Sequence, residues 1–184
     1  MKTLKIIGIT LAGIILLAVI IAYLLPRHIY VERSAVITAS PEVVFEQVNV
    51  LKNWENWSPW HRIDPDMEII YSGPEEGEGA AYAWLSNDPA AGQGKLSITE
   101  SIPYSLITTE LDFMERGTAT SRYTFEPVEG GTLLTWSMDS DMGNNPMARY
   151  FGLFMDKLLG ADFEKGLENI QYVITSLHDE EPED

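Results

Sequence analysis

Phe163, Leu167, Ile170, Ile174 and Leu177 follow one another at steps of four, three, four and three. That is the spacing of one helical face, and no strand reproduces it. Glu164, Lys165 and Glu168 fall off the stripe, so the helix is dry on one side and wet on the other. Such a helix is stable mainly through what its apolar face packs on, so the rest of the chain must supply an apolar surface. Pro146 can open the helical region. An unbroken helix from there to Leu177 would be about 48 Å long, too long for a domain of this size. The sequence therefore predicts a break at Gly160 with Asp162 as a fresh N-cap, giving a short helix near 146–158 and a longer one over 161–177. Residues 179–184 read as an acidic tail.

The surface comes from what precedes it. Ile29 to Ile37 alternates and is rich in β-branched residues. Met67–Ser72, Ala80–Leu85, Lys95–Glu100, Ser105–Phe113, Thr118–Glu126 and Thr132–Asp141 also read as strands, punctuated by Gly73-Pro74, Asn87-Asp88-Pro89, Pro103 and Gly130-Gly131. Tyr123 and Phe125 oppose Arg122 and Thr124, while Leu134, Trp136 and Met138 share one parity. Short connections make this an antiparallel meander with one wet face. After the first strand, Ser40-Pro41-Glu42 starts a helix whose buried face is Val44, Phe45, Val48 and Leu51. Trp54, Trp57 and Trp60 then recur at steps of three. The class is α+β: seven antiparallel strands, two short helices after the first, and a long terminal helix.

Ile6 to Leu25 carries no charge. As a helix it reaches roughly 30 Å, the thickness of a bilayer's hydrocarbon core. It ends Ala22-Tyr23-Leu24-Leu25-Pro26, where a signal peptidase would want small residues, so residues 1–26 read as an uncleaved transmembrane anchor and 27–178 as the domain. Lys2, Lys5 and the amino terminus before the run, against Arg27 and Arg33 after it, are a slight positive excess that places the N-terminus in the cytoplasm and the domain outside.

Twenty-eight acidic residues against twelve basic ones give a net charge of −16, which repels phosphate backbones and argues against nucleic acid as a partner. There is no cysteine, hence no disulfide, thiolate nucleophile or cysteine-held zinc. Asp64, Asp66 and Glu68 lack the spacing of a calcium loop, and Gly77-x-Gly79 lacks the third glycine of a dinucleotide fingerprint. Gly94-Lys95 lacks the remaining positions of a phosphate loop. His61 has no identifiable acid partner and reads as a surface or helix-end residue. No cofactor, metal or catalytic residue is assigned.

Val31-Glu32-Arg33-Ser34, Ser40-Pro41, Val44-Phe45, Trp54, Trp57-Ser58-Pro59-Trp60, Gly79 with Tyr82 and Trp84, Gly131-Thr132 with Trp136, and Asp162 to Leu167 with Asn169 occur in an order that resembles a known family. It is the polyketide cyclase/dehydrase-like branch of the START-like (SRPBCC) superfamily, over roughly residues 30–177. The resemblance implies the helix-grip fold also seen in the birch-pollen allergen, with a sheet gripping the last helix around an apolar cavity. The anchor ahead of the domain looks like that of many bacterial members, implying an inner-membrane protein with a periplasmic domain.

The expected ligand-binding residues are Trp54, Trp57, Trp60, Tyr82, Trp84, Arg122, Trp136 and Phe154, with Phe151 and Met155 beside the last of these. Pocket walls are mostly apolar and aromatic with a few polar groups for orientation. Tyr82 and Arg122 are those polar candidates, although Arg122 shares its parity with threonines and points outward. Three readings stand side by side. An anchored module holds an apolar small molecule or lipid, a cyclase-type enzyme polarises a carbonyl with Tyr82 or Arg122, or an interaction domain has its interior packed shut.

Overall fold

The computed structural model describes residues 2–64, 66–89, 91–114 and 117–180. Helix α1 (Lys2–Leu24) is followed by strand β1 (His28–Ile37), helix α2 (Pro41–Asn49) and the single-turn helix α3 (Trp54–Trp57), with 3-10 turns at Leu51–Asn53 and Pro59–Arg62. Six strands follow: β2 (Glu68–Ser72), β3 (Ala81–Leu85), β4 (Gln93–Ile102), β5 (Leu106–Asp112), β6 (Thr118–Val128) and β7 (Gly131–Asp141). Helix α4 (Pro146–Glu180) closes the described chain.

The strands form one seven-stranded sheet in the order β1-β7-β6-β5-β4-β3-β2. Every pairing is antiparallel. Only the β1–β2 connection crosses the sheet, and it carries α2 and α3 over the same face that α4 covers. Register explains which side chains meet there. Tyr71, Tyr82, Leu96, Leu111 and Ala119 lie in one row across β2 to β6, and Ile107, Tyr123, Trp136 and Arg33 in another. A register shift in β4 between Ile98 and Glu100 adds local twist. Lys95, Glu110, Asp112 and Arg122 occupy the opposite parity and are exposed.

The terminal helix is unbroken over 35 residues, contrary to the expected fault at Gly160. At 1.5 Å per residue it is about 52 Å long. Gly160 serves a close approach instead. A Cβ there would lie 2.0 Å from Nη2 of Arg33. The Arg33 guanidinium donates to Glu164 at 2.7 Å and to the carboxylate of Asp156 at 3.0 Å, one helical turn to either side of the glycine. These two carboxylates raise the Arg33 pKa further above its ordinary value. Asp162, expected to cap a second helix, sits mid-helix, and desolvation pushes its carboxyl pKa up.

Phe163, Leu167, Ile170 and Ile174 are buried as their spacing requires, at 0–2 % exposure. Leu177, last of the stripe, is 53 % exposed because the helix has by then run past the sheet.

Helix α1 is long and apolar enough to cross a membrane, and only Ala22 of it is buried. Its last turns pack against the first turns of α4. Arg149, itself buried, donates to the carbonyl of Tyr23 at 3.1 Å and stands 5.3 Å above that residue's ring. The Tyr150 hydroxyl donates to the carbonyl of Ala18 at 2.7 Å. Arg27 then fastens the α1–β1 junction to the end of β7 through two 2.6 Å hydrogen bonds to Asp141, whose carboxyl is held well below the usual range by that guanidinium.

Candidate functional site

The interior between sheet and helices is built on tryptophans that also terminate a helix. The last carbonyls of α2 have no partner within the helix. The indole of Trp57 donates to the carbonyl of Gln47 at 2.8 Å, and that of Trp54 to Val48 at 2.9 Å. Asn169 of α4 in turn donates to the Trp57 carbonyl at 2.8 Å, tying α3 to the terminal helix. Step-of-three spacing therefore reflects one stretch of chain folding back under α2.

From there the rings form a continuous train. Trp54 lies 4.8 Å from Trp57, 6.3 Å from Tyr82 and 5.8 Å from Tyr123, centroid to centroid. Trp57 and Trp60 both meet Trp136 edge-on. Phe163 of α4 stacks on Trp136 at 4.1 Å with ring planes 7° apart. Tyr82 continues the train to Trp84, and Trp84 to Phe113. A Cβ at Gly94 would come within 2.4 Å of the Trp84 ring, so that glycine makes room for the indole, which donates to the Ala91 carbonyl at 3.1 Å. Pairs of this kind contribute roughly 0.5–1.5 kcal/mol each beyond area burial.

Six of the eight expected residues are thus brought together: Trp54, Trp57, Trp60, Tyr82, Trp84 and Trp136. Arg122 is exposed on the outer face of the sheet, as its parity indicated, and does not line the interior. Phe154 is 60 % exposed on the far side of α4 and Phe151 is 55 % exposed, leaving Met155 as the one member of that trio packed on the core. The interior also recruits Tyr123, Phe163 and His61. Tyr123 and Phe163 were legible from strand parity and helix spacing. His61 was not, because a single residue after Trp60 carries no periodic signal.

His61, expected at the surface or at a helix end, stands in the last turn of the Pro59–Arg62 3-10 helix, with its ring nitrogens turned away from the surface. Both ring nitrogens are buried without a hydrogen-bond partner among the described residues, as are Thr109 Oγ1 and Trp136 Nε1. The imidazole stands 5.6 Å from the Tyr82 ring, edge-on. Burial lowers its pKa against a smaller opposing effect of Glu55, so it is neutral at pH 7. Burial likewise raises the pKa of the Tyr82 and Tyr123 phenols, which stay protonated. Tyr71 donates to Glu55 at 2.7 Å at the edge of this group. The site offers neutral hydrogen-bond donors and acceptors inside an aromatic wall, with the Glu55 carboxylate at its edge.

The space beneath α4 is largely filled by these rings. Two troughs lie elsewhere. One of about 450 Å³ is on the outer face of the sheet, lined by Lys95, Glu110, Asp112, Asp139 and Asp141 among others. The other, of about 130 Å³, runs between Leu51–Lys52 and the Gly73-Pro74 turn. No group of three or more metal-ligating side chains occurs among the described residues.

A seven-stranded antiparallel sheet gripping one long helix, with short helices after the first strand and an aromatic interior, defines a helix-grip α+β domain. The chain belongs to the polyketide cyclase/dehydrase and lipid transport family, whose profile matches residues 28–174. Among solved structures it is similar to a protein of unknown function, SA2116, from Staphylococcus aureus: 15 % identity, 83 % of this chain and 97 % of that one, TM-score 0.64. It is also similar to a Rhodobacter sphaeroides protein at 17 % identity, covering 81 % and 93 %, TM-score 0.58. A third similarity is to the di-domain ARO/CYC protein StfQ of the steffimycin biosynthetic pathway: 11 % identity, 79 % of this chain and 50 % of that one, TM-score 0.61. At these identities the likeness is one of fold. No curated protein matches the chain.

Proposed function

We propose that this protein is a membrane-anchored binding module that accepts an apolar small molecule or lipid into the aromatic interior beneath α4, its polar end held by His61, Thr109 and Trp136. One observation carries the reading. Those residues present four buried polar atoms without partners among the described residues, inside a core where the indoles of Trp54, Trp57 and Trp84 are satisfied. An unpaired buried polar atom costs about 1–3 kcal/mol, so several in one interior call for a group that pairs with them. Helix α1 supplies the source of ligand: it spans the bilayer with its N-terminus in the cytoplasm and delivers the domain directly onto the opposite surface. The family's lipid-transport members and the aromatic lining are consistent with an apolar cargo.

Entry requires the rings to part, because Phe163 and Trp136 are in stacking contact. That same contact favours the second reading, an interaction domain with a closed core. A catalytic use of the interior would fall to Tyr82 and His61, and Tyr82→Phe would then abolish turnover while leaving binding almost intact.

Native mass spectrometry of the full chain extracted in a mild detergent tests the proposal. A retained apolar mass is expected, and Thr109→Val should weaken its retention without loss of stability. A bare polypeptide mass that takes up no fatty-acyl or isoprenoid probe leaves the closed-core reading standing.

A further inference from the structure

The first three turns of α4 carry an apolar face that the domain does not cover. Met147, Phe151, Phe154 and Leu158 recur at steps of four, three and four and are 50–74 % exposed. A few residues on, the same face changes character. Continuing at the same steps it presents Ala161, Lys165, Glu168 and Tyr172, with Lys165 and Glu168 paired in solvent at 3.1 Å. On this face of α4 the uncovered apolar stretch is therefore confined to the beginning of the helix.

That end is the one joined to α1. Arg149 and Tyr150 lie within the stretch and bond to the carbonyls of Tyr23 and Ala18. Ala18 is six residues before the end of α1, so the Tyr150 hydroxyl reaches a level about 9 Å below that end. Away from that contact α1 is itself apolar and exposed, at Ile20, Ile21 and Leu24 among others. The start of α4 thus lies alongside the last turns of α1, and a bilayer that covers those turns reaches the level of the stripe. Exposed Lys157 beside Leu158 suits a boundary where apolar side chains end and phosphates begin.

We propose that the first three turns of α4 are seated in the headgroup–acyl boundary of the leaflet where α1 ends, so that the helix gripped by the sheet is held by lipid as well as by protein. This rests on the reading of α1 as a bilayer span. A soluble helix with this exposed stripe would be a liability, whereas an amphipathic helix lying beside a span buries it at once.

The chain has no cysteine, so single thiols report position without background. Phe151→Cys, Phe154→Cys, Leu16→Cys and Tyr172→Cys variants of the full chain are labelled with an environment-sensitive fluorophore in phosphatidylcholine–phosphatidylglycerol vesicles. All four positions are exposed, so folding is not at stake, and native tryptophan emission verifies it. The expected result is loss of most emission at 16, 151 and 154 to a lipid-borne quencher and at 172 to an aqueous one. Lipid quenching at 16 with aqueous quenching at 151 and 154 overturns this inference and leaves the span intact. Aqueous quenching at 16 as well overturns the span reading and this inference with it.

Discussion

Replacing Phe163 by Ala removes the side chain through which α4 closes the interior. Phe163 is 1 % exposed, stacked on Trp136 and edge-on to Trp60 at 6.3 Å. Burial of a phenyl ring and the cavity left behind together cost about 3–5 kcal/mol in comparable core truncations. Helix propensity favours Ala over Phe by roughly 0.5 kcal/mol and offsets a little of that. A net loss of about 3–4 kcal/mol is expected, against the ~5–15 kcal/mol stability typical of a domain, so the variant should still fold. Tyr172→Ala on the same helix, at 72 % exposure, serves as the control and should stay within about 0.5 kcal/mol of wild type. Urea unfolding of the full chain in micelles, followed by tryptophan emission, reads both directly. With a slope of about 1–3 kcal/mol per molar, the midpoint should fall by at least ~1 M for Phe163→Ala with the slope unchanged. A shift no larger than that of Tyr172→Ala would refute the reasoning, because α4 would then not be what closes the interior.

Two other outcomes follow from the polar groups of the interior. His61 has its pKa depressed below 6.5 by burial, so as pH falls through 6.5 the unfolded chain takes up a proton that the folded one refuses, and stability drops from there toward the folded-state value. His61→Phe should remove that part of the decline, seen as a shallower fall of the urea midpoint below pH 6.5; parallel declines in the two proteins count against it. Asn169→Ala strips the Trp57 carbonyl of its donor. It should cost about 1–3 kcal/mol, with a change in tryptophan near-ultraviolet dichroism that a surface substitution such as Tyr172→Ala does not produce.

The architecture was legible because its signals are periodic. Strand parity put Tyr123, Trp136 and Met138 inward and Arg122 outward, and the four-three steps placed Phe163 to Ile174 against the sheet. What failed were inferences from single residues. Gly160 looked like a helix break, yet its missing Cβ admits the Arg33 guanidinium, a contact 127 positions away in sequence that no local rule contains. Phe154 looked like a pocket wall because aromatic residues are usually buried; it stands on the uncovered face instead. His61 had no partner in sequence and was assigned to the surface or a helix end; it does stand at a helix end, yet the fold draws its nitrogens inward beside Tyr82. Chemistry that depends on such unpaired atoms is invisible to pattern until strands are placed in register.

Only Leu25, Pro26 and Arg27 separate α1 from β1, and the join is fastened on two sides, by Arg27 to Asp141 and by Arg149 to the end of α1. A tether without slack gives the domain one attitude toward α1. Inserting a few flexible residues after Pro26 would leave every internal contact of the sheet in place while releasing that constraint, making orientation a property that can be engineered apart from the fold.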